Sequence, residues 1–355
     1  MRRPRVVFLG AGHATLIALE HLGGRLDADL TLICQDAAAH YSGMVPGWIE
    51  GIYRTEEMSV GLEAFTRRLG VRFVQASATA ASDGSVWCGD RRIDYDVLAI
   101  NAGAVAPRDG PLHHPSVIAA KPFGGLVSGL AARMDTAASF IVVGAGPAGL
   151  EAAMALAHRR PDARVTVLER APAILPAFPR RFAVKVTAAL KANGVQLLLG
   201  AEIASVEETG LHLADGRSVE SACTIAFTGA APPPLLDAVP YALAADGFLA
   251  VDDAMISTSH SNVLAVGDVA TRMRDPRPKA GVFSVRSGVP LARAVAAMVA
   301  GKRPPSVHLQ RRGLVLLATG GKRAIGVRNG IVASGGWVWR LKDRFDRAFV
   351  TRFQG

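Results

Sequence analysis

The sequence predicts an α/β protein with two Rossmann-like domains, and three observations predict it. Two glycine-rich turns each stand between a strand and a helix, and the chain is long enough for two cores. At 355 residues it exceeds one comfortable hydrophobic core. Half the residues are hydrophobic and 20% are charged, as a folded chain requires. The 37 glycines suit many tight strand-to-helix turns.

The first unit opens on the strand Arg5-Val6-Val7-Phe8-Leu9 and turns through Gly10-Ala11-Gly12-His13-Ala14-Thr15. A helix over 16–22 and a strand over 29–33 complete it. Gly10 permits the tight turn, and Gly12 lets backbone approach a pyrophosphate. The helix start, at His13 and Ala14, offers free N–H groups and a partial positive charge to hold it. Thr15 stands where a third glycine is usual. At the strand end Cys34 reads as a buried thiol, and Asp36 lies two residues beyond. Either Asp36 contacts a ribose, or that hydroxyl pairs with backbone and water.

The second unit repeats the first. The strand Phe140–Val143 leads into Gly144-Ala145-Gly146-Pro147-Ala148-Gly149, a helix over 150–158 that carries Glu151, and a strand over 164–168 ending on Glu169. Here all three glycines are present. An acid at the strand end accepts a ribose 2′-OH and repels a 2′-phosphate, so NADH is favoured over NADPH. One such motif is weak; two in full strand–turn–helix–strand context are strong. The apolar run over 139–157 therefore reads as strand, phosphate turn and buried helix, not as a membrane span.

Two further strands fit a nucleotide-binding fold. Residues 94–103 form a buried strand ending on Asn101-Ala102-Gly103, and residues 261–268 form another ending on Gly267-Asp268. A carboxylate at that sheet edge can accept hydrogen bonds from a ribityl chain. Ala226-Phe227-Thr228-Gly229 is the counterpart of the Asn-Ala-Gly turn in the second unit.

From residue 311 the pattern changes. Residues 313–319 read as a strand, Asn329-Gly330 signals a hairpin, and 337–353 has helical periodicity. Trp337, Leu341, Phe345, Ala348 and Phe349 fall on one face, with Arg340, Arg344 and Arg347 opposite. A basic amphipathic helix with tryptophan at one end suits an anionic membrane interface. Covering the first domain or making a homodimer contact are the alternatives.

The net charge of +10, from 40 Lys+Arg against 30 Asp+Glu, favours a polyanionic partner. Without zinc-finger spacing, an aromatic RNA-binding signature or a basic stripe in the first 300 residues, no nucleic-acid partner is expected. Cys34, Cys88 and Cys223 are widely spaced, which argues against a disulfide framework or thiolate metal site and suits a reducing, cytoplasmic compartment. His113-His114 lacks further ligands, so no metal is expected. The basic start runs straight into Val6–Leu9 and Gly10, too short an apolar core for a signal peptide.

With these pieces in place the chain resembles the two-dinucleotide-binding-domain flavoproteins of the pyridine nucleotide-disulfide oxidoreductase type. Within them it is similar to type II NADH:quinone and sulfide:quinone oxidoreductases. It is more similar still to the flavoprotein domain fused to some selenide, water dikinases. His40-Tyr41-Ser42-Gly43-Met44-Val45-Pro46-Gly47, Lys121-Pro122, Arg277-Pro278-Lys279-Ala280-Gly281-Val282-Phe283, Ala318-Thr319-Gly320 and residues 337–343 carry that last likeness.

The resemblance implies FAD on the first turn and NADH on the second. The FAD domain would be split over 1–105 and 240–305, the NAD domain inserted over 106–239, and 306–355 would contact membrane or another interface. Hydride passes from NADH to FAD, and electrons go on to a quinone or other small-molecule acceptor. A soluble reductase of a selenium or sulfur species and a slow flavin redox-sensing module are the alternatives. The loop over 41–47 would lie along the flavin, and Lys279 to Val282 would begin a helix aimed at its pyrimidine end. Lys279, Tyr41 and His40 are the candidates for tuning the flavin or moving a proton, and Asp268 for the ribityl chain. The glutamine pair of type II enzymes is missing over 284–288, and no cysteine pair is present for sulfur or disulfide chemistry. Such a protein would be cytoplasmic, or peripheral on the inner face of the cell membrane.

Overall fold

Two five-stranded parallel sheets carry the molecule. The structure is a computed structural model and describes residues 2–310 and 313–354. Met1, Arg311, Arg312 and Gly355, and with them the change of pattern expected at Arg311, lie outside the described residues.

The first sheet runs in the order Val263–Ala265, Val97–Ile100, Arg5–Leu9, Asp29–Cys34, Arg72–Gln75, all parallel. The second runs Val117–Ala119, Cys223–Ala226, Ser139–Val143, Arg164–Glu169, Gln196–Leu199. In each, the strand feeding the glycine turn is central, between the strand that closes its unit and a later strand, Val97–Ile100 in the first sheet and Cys223–Ala226 in the second. Central strands covered on both faces must be apolar throughout. Val6 to Leu9 and Phe140 to Val143 accordingly lie buried without alternation.

Among the described residues eight α-helices accompany them: α1 His13–Leu22, α2 Val45–Ile49, α3 Leu62–Arg68, α4 Phe123–Ala131, α5 Pro147–Arg159, α6 Arg180–Ala192, α7 Gly281–Val299 and α8 Gly336–Gln354. Both helices after a glycine turn start earlier than periodicity alone suggests, because a small turn residue, Gly12 or Gly146, is the N-cap. The apolar run over 139–157 divides into a strand, the turn and α5, as expected. Instead α7 is the one described helix long and apolar enough to cross a membrane. Its Ser287, Gly288, Leu291 and Val295 are buried, and it packs along α1.

The C-terminal segment is a three-stranded antiparallel sheet, Val315–Ala318, Ala324–Arg328 and Ile331–Gly335, followed by α8. Asn329 and Gly330, at φ of 50° and 83°, make the hairpin turn that their pairing foretold. The expected faces of α8 need correction. Its buried residues are Val338, Asp346, Val350 and Phe353, while Trp337 and Phe345 stay half exposed. Phe349 turns inward onto Tyr41 and His13. Hydrophobic periodicity missed this because the inward face includes an ion pair, Lys342 with Asp346 at 2.6 Å.

Candidate functional site

The two glycine turns are built alike. Gly10 stands at φ 89°, and a Cβ there would meet the Asn101 carbonyl oxygen at 2.6 Å. Gly144 stands at φ 103°, and its Cβ would meet the Phe227 carbonyl oxygen at the same 2.6 Å. Each turn is therefore wedged against the end of that later strand, and Asn101-Ala102-Gly103 and Phe227-Thr228-Gly229 are structural counterparts. Gly103 and Gly229 both take positive φ there.

The turns differ in what fills them. A Cβ on Gly12 would lie 2.2 Å from Asn101 Oδ1, so this glycine makes room for the Asn101 side chain. Asn101 is buried; its Nδ2 donates to the Val266 carbonyl at 2.8 Å and its Oδ1 accepts the Thr15 N–H at 3.3 Å. It ties the first turn to Gly267-Asp268, a role that no local pattern disclosed. Gly146, by contrast, has nothing within 4 Å of its Cβ direction. Neither α1 nor α5 has a side-chain cap at its N-terminus. The first-turn N–H groups, His13 and Ala14 among them in α1, carry the positive end of the helix dipole. Both turns thus fit a pyrophosphate, the second with the open approach that a bound dinucleotide needs.

The strand ends are equivalent as well. Glu169 Oε2 accepts the Ala145 N–H at 2.7 Å and Oε1 accepts the Ala171 N–H at 2.8 Å. In the first unit the Cys34 thiol receives the N–H groups of Asp36 and Ala11, while burial pushes it up from its ordinary range. Asp36 does not brace its turn as Glu169 does. Its side chain is exposed and turns toward the start of α4, 3.7 Å from where a Cβ on Gly124 would stand.

Asp268 is paired with Lys121 Nζ at 2.5 Å, both side chains largely shielded. Lys121 stands just before α4, so this pair links the edges of the two sheets. Lys279 is anchored rather than free. Its Nζ donates to the Ala270 carbonyl at 2.7 Å and to Thr271 Oγ1 at 2.8 Å, and lies 3.8 Å over the Phe248 ring. Burial lowers its pKa, with Asp246 and Asp268 opposing. The helix it was expected to begin starts at Gly281 instead.

Over the first turn lies an aromatic cluster. Tyr41 stacks on Phe349 at 4.5 Å, and His13 meets both edge-on at 5.2 and 5.3 Å. Burial draws His13 down to about 4, only partly offset by Asp268, so the imidazole is neutral at physiological pH. Burial and then Asp346 hold the Tyr41 phenol protonated. His40 Nδ1 bonds Ser59 Oγ at 2.7 Å, beside the site rather than in it.

Glu151 is placed elsewhere than expected. It leaves the second turn and accepts the Ala318 N–H at 2.8 Å, in the C-terminal sheet. Burial pushes it up to about 7, opposed by Lys342. Lys342 Nζ in turn donates to Asp346 and to the Gly43 carbonyl. This buried polar knot joins α5, α8 and the single 3-10 turn Ser42–Met44 that leads into α2, so the segment expected as a loop over 41–47 is largely helical. Among the described residues no group of three or more His, Cys, Asp or Glu could hold a metal ion, and Cys34, Cys88 and Cys223 are free thiols.

The sequence profile of the family described as Pyridine nucleotide-disulphide oxidoreductase matches residues 4–296. A type II NADH:quinone oxidoreductase of Mycobacterium tuberculosis is 26% identical over 314 residues, 75% of this chain and 66% of that protein. The chain thus spans about two thirds of that relative's length, 66%. The sulfide:quinone oxidoreductase of Aquifex aeolicus shares the fold at a TM-score of 0.81 and 16% identity, covering 99% of this chain and 91% of that one. A structure described as NDH2 from Plasmodium falciparum in complex with NADH does so at 0.78 and 13% identity, covering 99% and 98%.

Proposed function

The chain belongs to the pyridine nucleotide-disulphide oxidoreductase family, and on that premise we propose that it is an FAD-dependent oxidoreductase taking a hydride from NADH and delivering electrons to a quinone. The observation that carries this reading is the pair of equivalent turns with unlike strand ends. Glu169 gives the second turn a fixed carboxylate for a ribose 2′-OH, with both oxygens already aimed by backbone N–H groups. The first turn has instead Asn101, Gly267 and Asp268 gathered beside it, which suits the longer flavin nucleotide.

When bound, the flavin supplies hydride acceptance and onward electron transfer, so no protein acid or base is needed on the donor side. The protein's part is binding, orientation and proton placement. The α1 and α5 N-termini neutralise pyrophosphate charge, Gly103 and Gly229 keep side chains away from the nucleotides, and Gly149 lets α5 close on its turn, where a Cβ would lie 2.1 Å from the Gly144 carbonyl oxygen. Asp268, relieved by Lys121, accepts from a ribityl hydroxyl. Lys279 sets the start of α7 by its anchorage to Ala270. Tyr41 holds its proton at Oη beside the acceptor face, where neutral His13 adds no charge.

In this reading residues 1–105 with 240–305 form the FAD domain, 106–239 the NAD domain, and 306–355 the acceptor-side cover. The half-exposed Trp337 and Phe345 alternate along α8 with exposed Arg340 and Arg344. That surface supports docking on an anionic membrane at the inner face of the cell membrane, where a quinone is found.

The test is anaerobic reduction of the purified protein by NADH, followed as loss of the oxidised flavin band, then addition of a soluble quinone. Rapid bleaching and rapid recovery are expected. Bleaching without recovery overturns the quinone and brings a selenium or sulfur acceptor forward. No bleaching in protein that contains FAD overturns the NADH site.

A further inference from the structure

Where two layers pack, the facing sides of their strands are normally apolar. The first sheet departs from this at its amino edge. Val7, Thr31 and Arg72 stand side by side across three parallel strands, with Arg5 two residues before Val7 on the same face. That face packs through Val7, Ile33 and Val74 onto Val86 and Ile93 of the small antiparallel sheet Ala80–Ser82, Ser85–Cys88, Arg91–Asp94. Arg91, two residues before the buried Ile93, takes the inward side of its own strand by the same alternation. A cavity of about 710 Å³ opens between the two layers, lined by Arg5, Thr31, Arg72, Arg91 and Ile93 among others.

We propose that this slot binds a nucleoside polyphosphate, with its phosphates between Arg72 and Arg91 and its base against Leu26, Leu69 and Ile93. Arg5, Asp29 and Arg72 each begin a strand. The slot therefore lies at the edge opposite the first glycine turn, about 16 Å from Gly10 at the rise of an extended strand. It shares no residue with either turn, nor with Gly267, Asp268 or Lys279. Its volume falls within the roughly 300–1,000 Å³ of small-molecule sites.

The charges favour an anion of more than one phosphate. Five arginines line the slot against two aspartates. Both aspartates are engaged, Asp94 by Arg5 at 2.9 Å and Arg92 at 2.8 Å, and Asp29 by Arg3 at 3.6 Å. Arg5 also reaches Asp96 at 3.1 Å. Among the described residues Arg72 and Arg91 make no hydrogen bond or ion pair, and both are exposed. Thr31, only 9% exposed, adds a hydroxyl that has no partner there and is not sealed from solvent. A guanidinium meets phosphate oxygens with two parallel N–H donors. Two of them on facing layers, packed about 10 Å apart, suit a phosphate chain better than a lone ion. Gly24 and Gly70, at φ 67° and 65° with nothing within 4 Å of a Cβ, leave the rim open.

The probes are ATP, inorganic tripolyphosphate and adenosine, titrated calorimetrically into FAD-loaded full-length protein at fixed ionic strength. Saturable ATP binding is expected, with tripolyphosphate weaker by about tenfold for want of the base and adenosine weaker still. Arg72→Gln and Arg91→Gln each weaken ATP by about tenfold or more, as loss of a charge-assisted hydrogen bond does. Arg67→Gln, which removes an exposed charge of α3 outside the slot, leaves it unchanged. ATP held at the second glycine turn would persist in both slot variants, so undiminished binding there overturns the proposal. No saturable binding in the wild type overturns it too, and tripolyphosphate as tight as ATP overturns the nucleoside. Photolabelling of the wild type with an azido-ATP fixes the position without any substitution. Label on peptides spanning 24–31, 69–72 or 91–94 supports the site, and label only elsewhere overturns it. None of these readouts uses NADH, so failure here and failure of the oxidoreductase reading are distinguishable.

Discussion

Glu169 accepts the backbone N–H of Ala145 at 2.7 Å, so the acid that ends one strand also closes the glycine turn that follows its neighbour. The same carboxylate shapes the turn and, in the function proposed above, offers its free lone pairs to a ribose. Replacing Glu169 with Ala is expected to lower kcat/KM for NADH by about tenfold to a hundredfold and to shrink the preference over NADPH. Steady-state kinetics with both nucleotides check this, and an unchanged preference would count against the ribose role.

Two glycines separate architecture from ligand approach. Gly146→Ala meets no protein atom, so its stability should stay within about 0.5 kcal/mol of wild type while KM for NADH rises. Gly10→Ala must adopt φ 89° and presses on the Asn101 carbonyl, which costs about 1–3 kcal/mol or more. Melting temperature and FAD content per chain distinguish them: only the second variant should lose flavin.

Glu151 gives a pH dependence whose sign follows from its shift. Its ordinary value is 4.5 and in the fold it is raised to about 7. The folded chain therefore keeps a proton that the unfolded chain has released, and stability falls as pH rises through that window. The contribution is complete below about 4.5 and lost above about 7. Glu151→Gln, which stays neutral, should flatten this slope and raise the melting temperature at pH 8 by about 2–4 °C. Identical pH profiles in thermal melts of the two proteins would refute it.

Phe349 is where α8 meets the first turn. Phe349→Ala removes a ring stacked on Tyr41 and edge-on to His13, and should cost about 2–4 kcal/mol. Denaturant unfolding measures the loss. Flavin should dissociate faster from the variant, since the cover over the first turn is loosened.

Trp337 and Phe345 should contribute to membrane contact and nothing to the core. The double replacement by Ser is expected to leave the melting temperature unchanged. It should weaken sedimentation with anionic vesicles by about tenfold or more, given the apolar area lost. Vesicle binding equal to wild type would move the acceptor surface away from α8.

The legible parts of the molecule are those where one short stretch contains its own explanation. Gly144 to Gly149 with its flanking strand and helix needed no partner to be read, nor did Asn329-Gly330 as a hairpin turn. The illegible parts depend on residues far apart in the chain. Lys121 meets Asp268, Asn101 fills the space beside Gly12, and Glu151 leaves its own turn for Ala318. Nothing local distinguishes Glu151, one turn into α5, from a residue that faces the nucleotide.

By itself the sequence determined two parallel-sheet units, their glycine turns and the acid that ends the second, because strand burial and turn conformation are local and periodic. Tertiary structure alone decided which side of α8 faces inward, which cations are spent on carboxylates and which arginines are left with unpartnered nitrogens. Burial of charge is settled by partners brought together in space. A lysine and an aspartate four residues apart can lie in water or, as Lys342 and Asp346 do, in the interior beneath a helix.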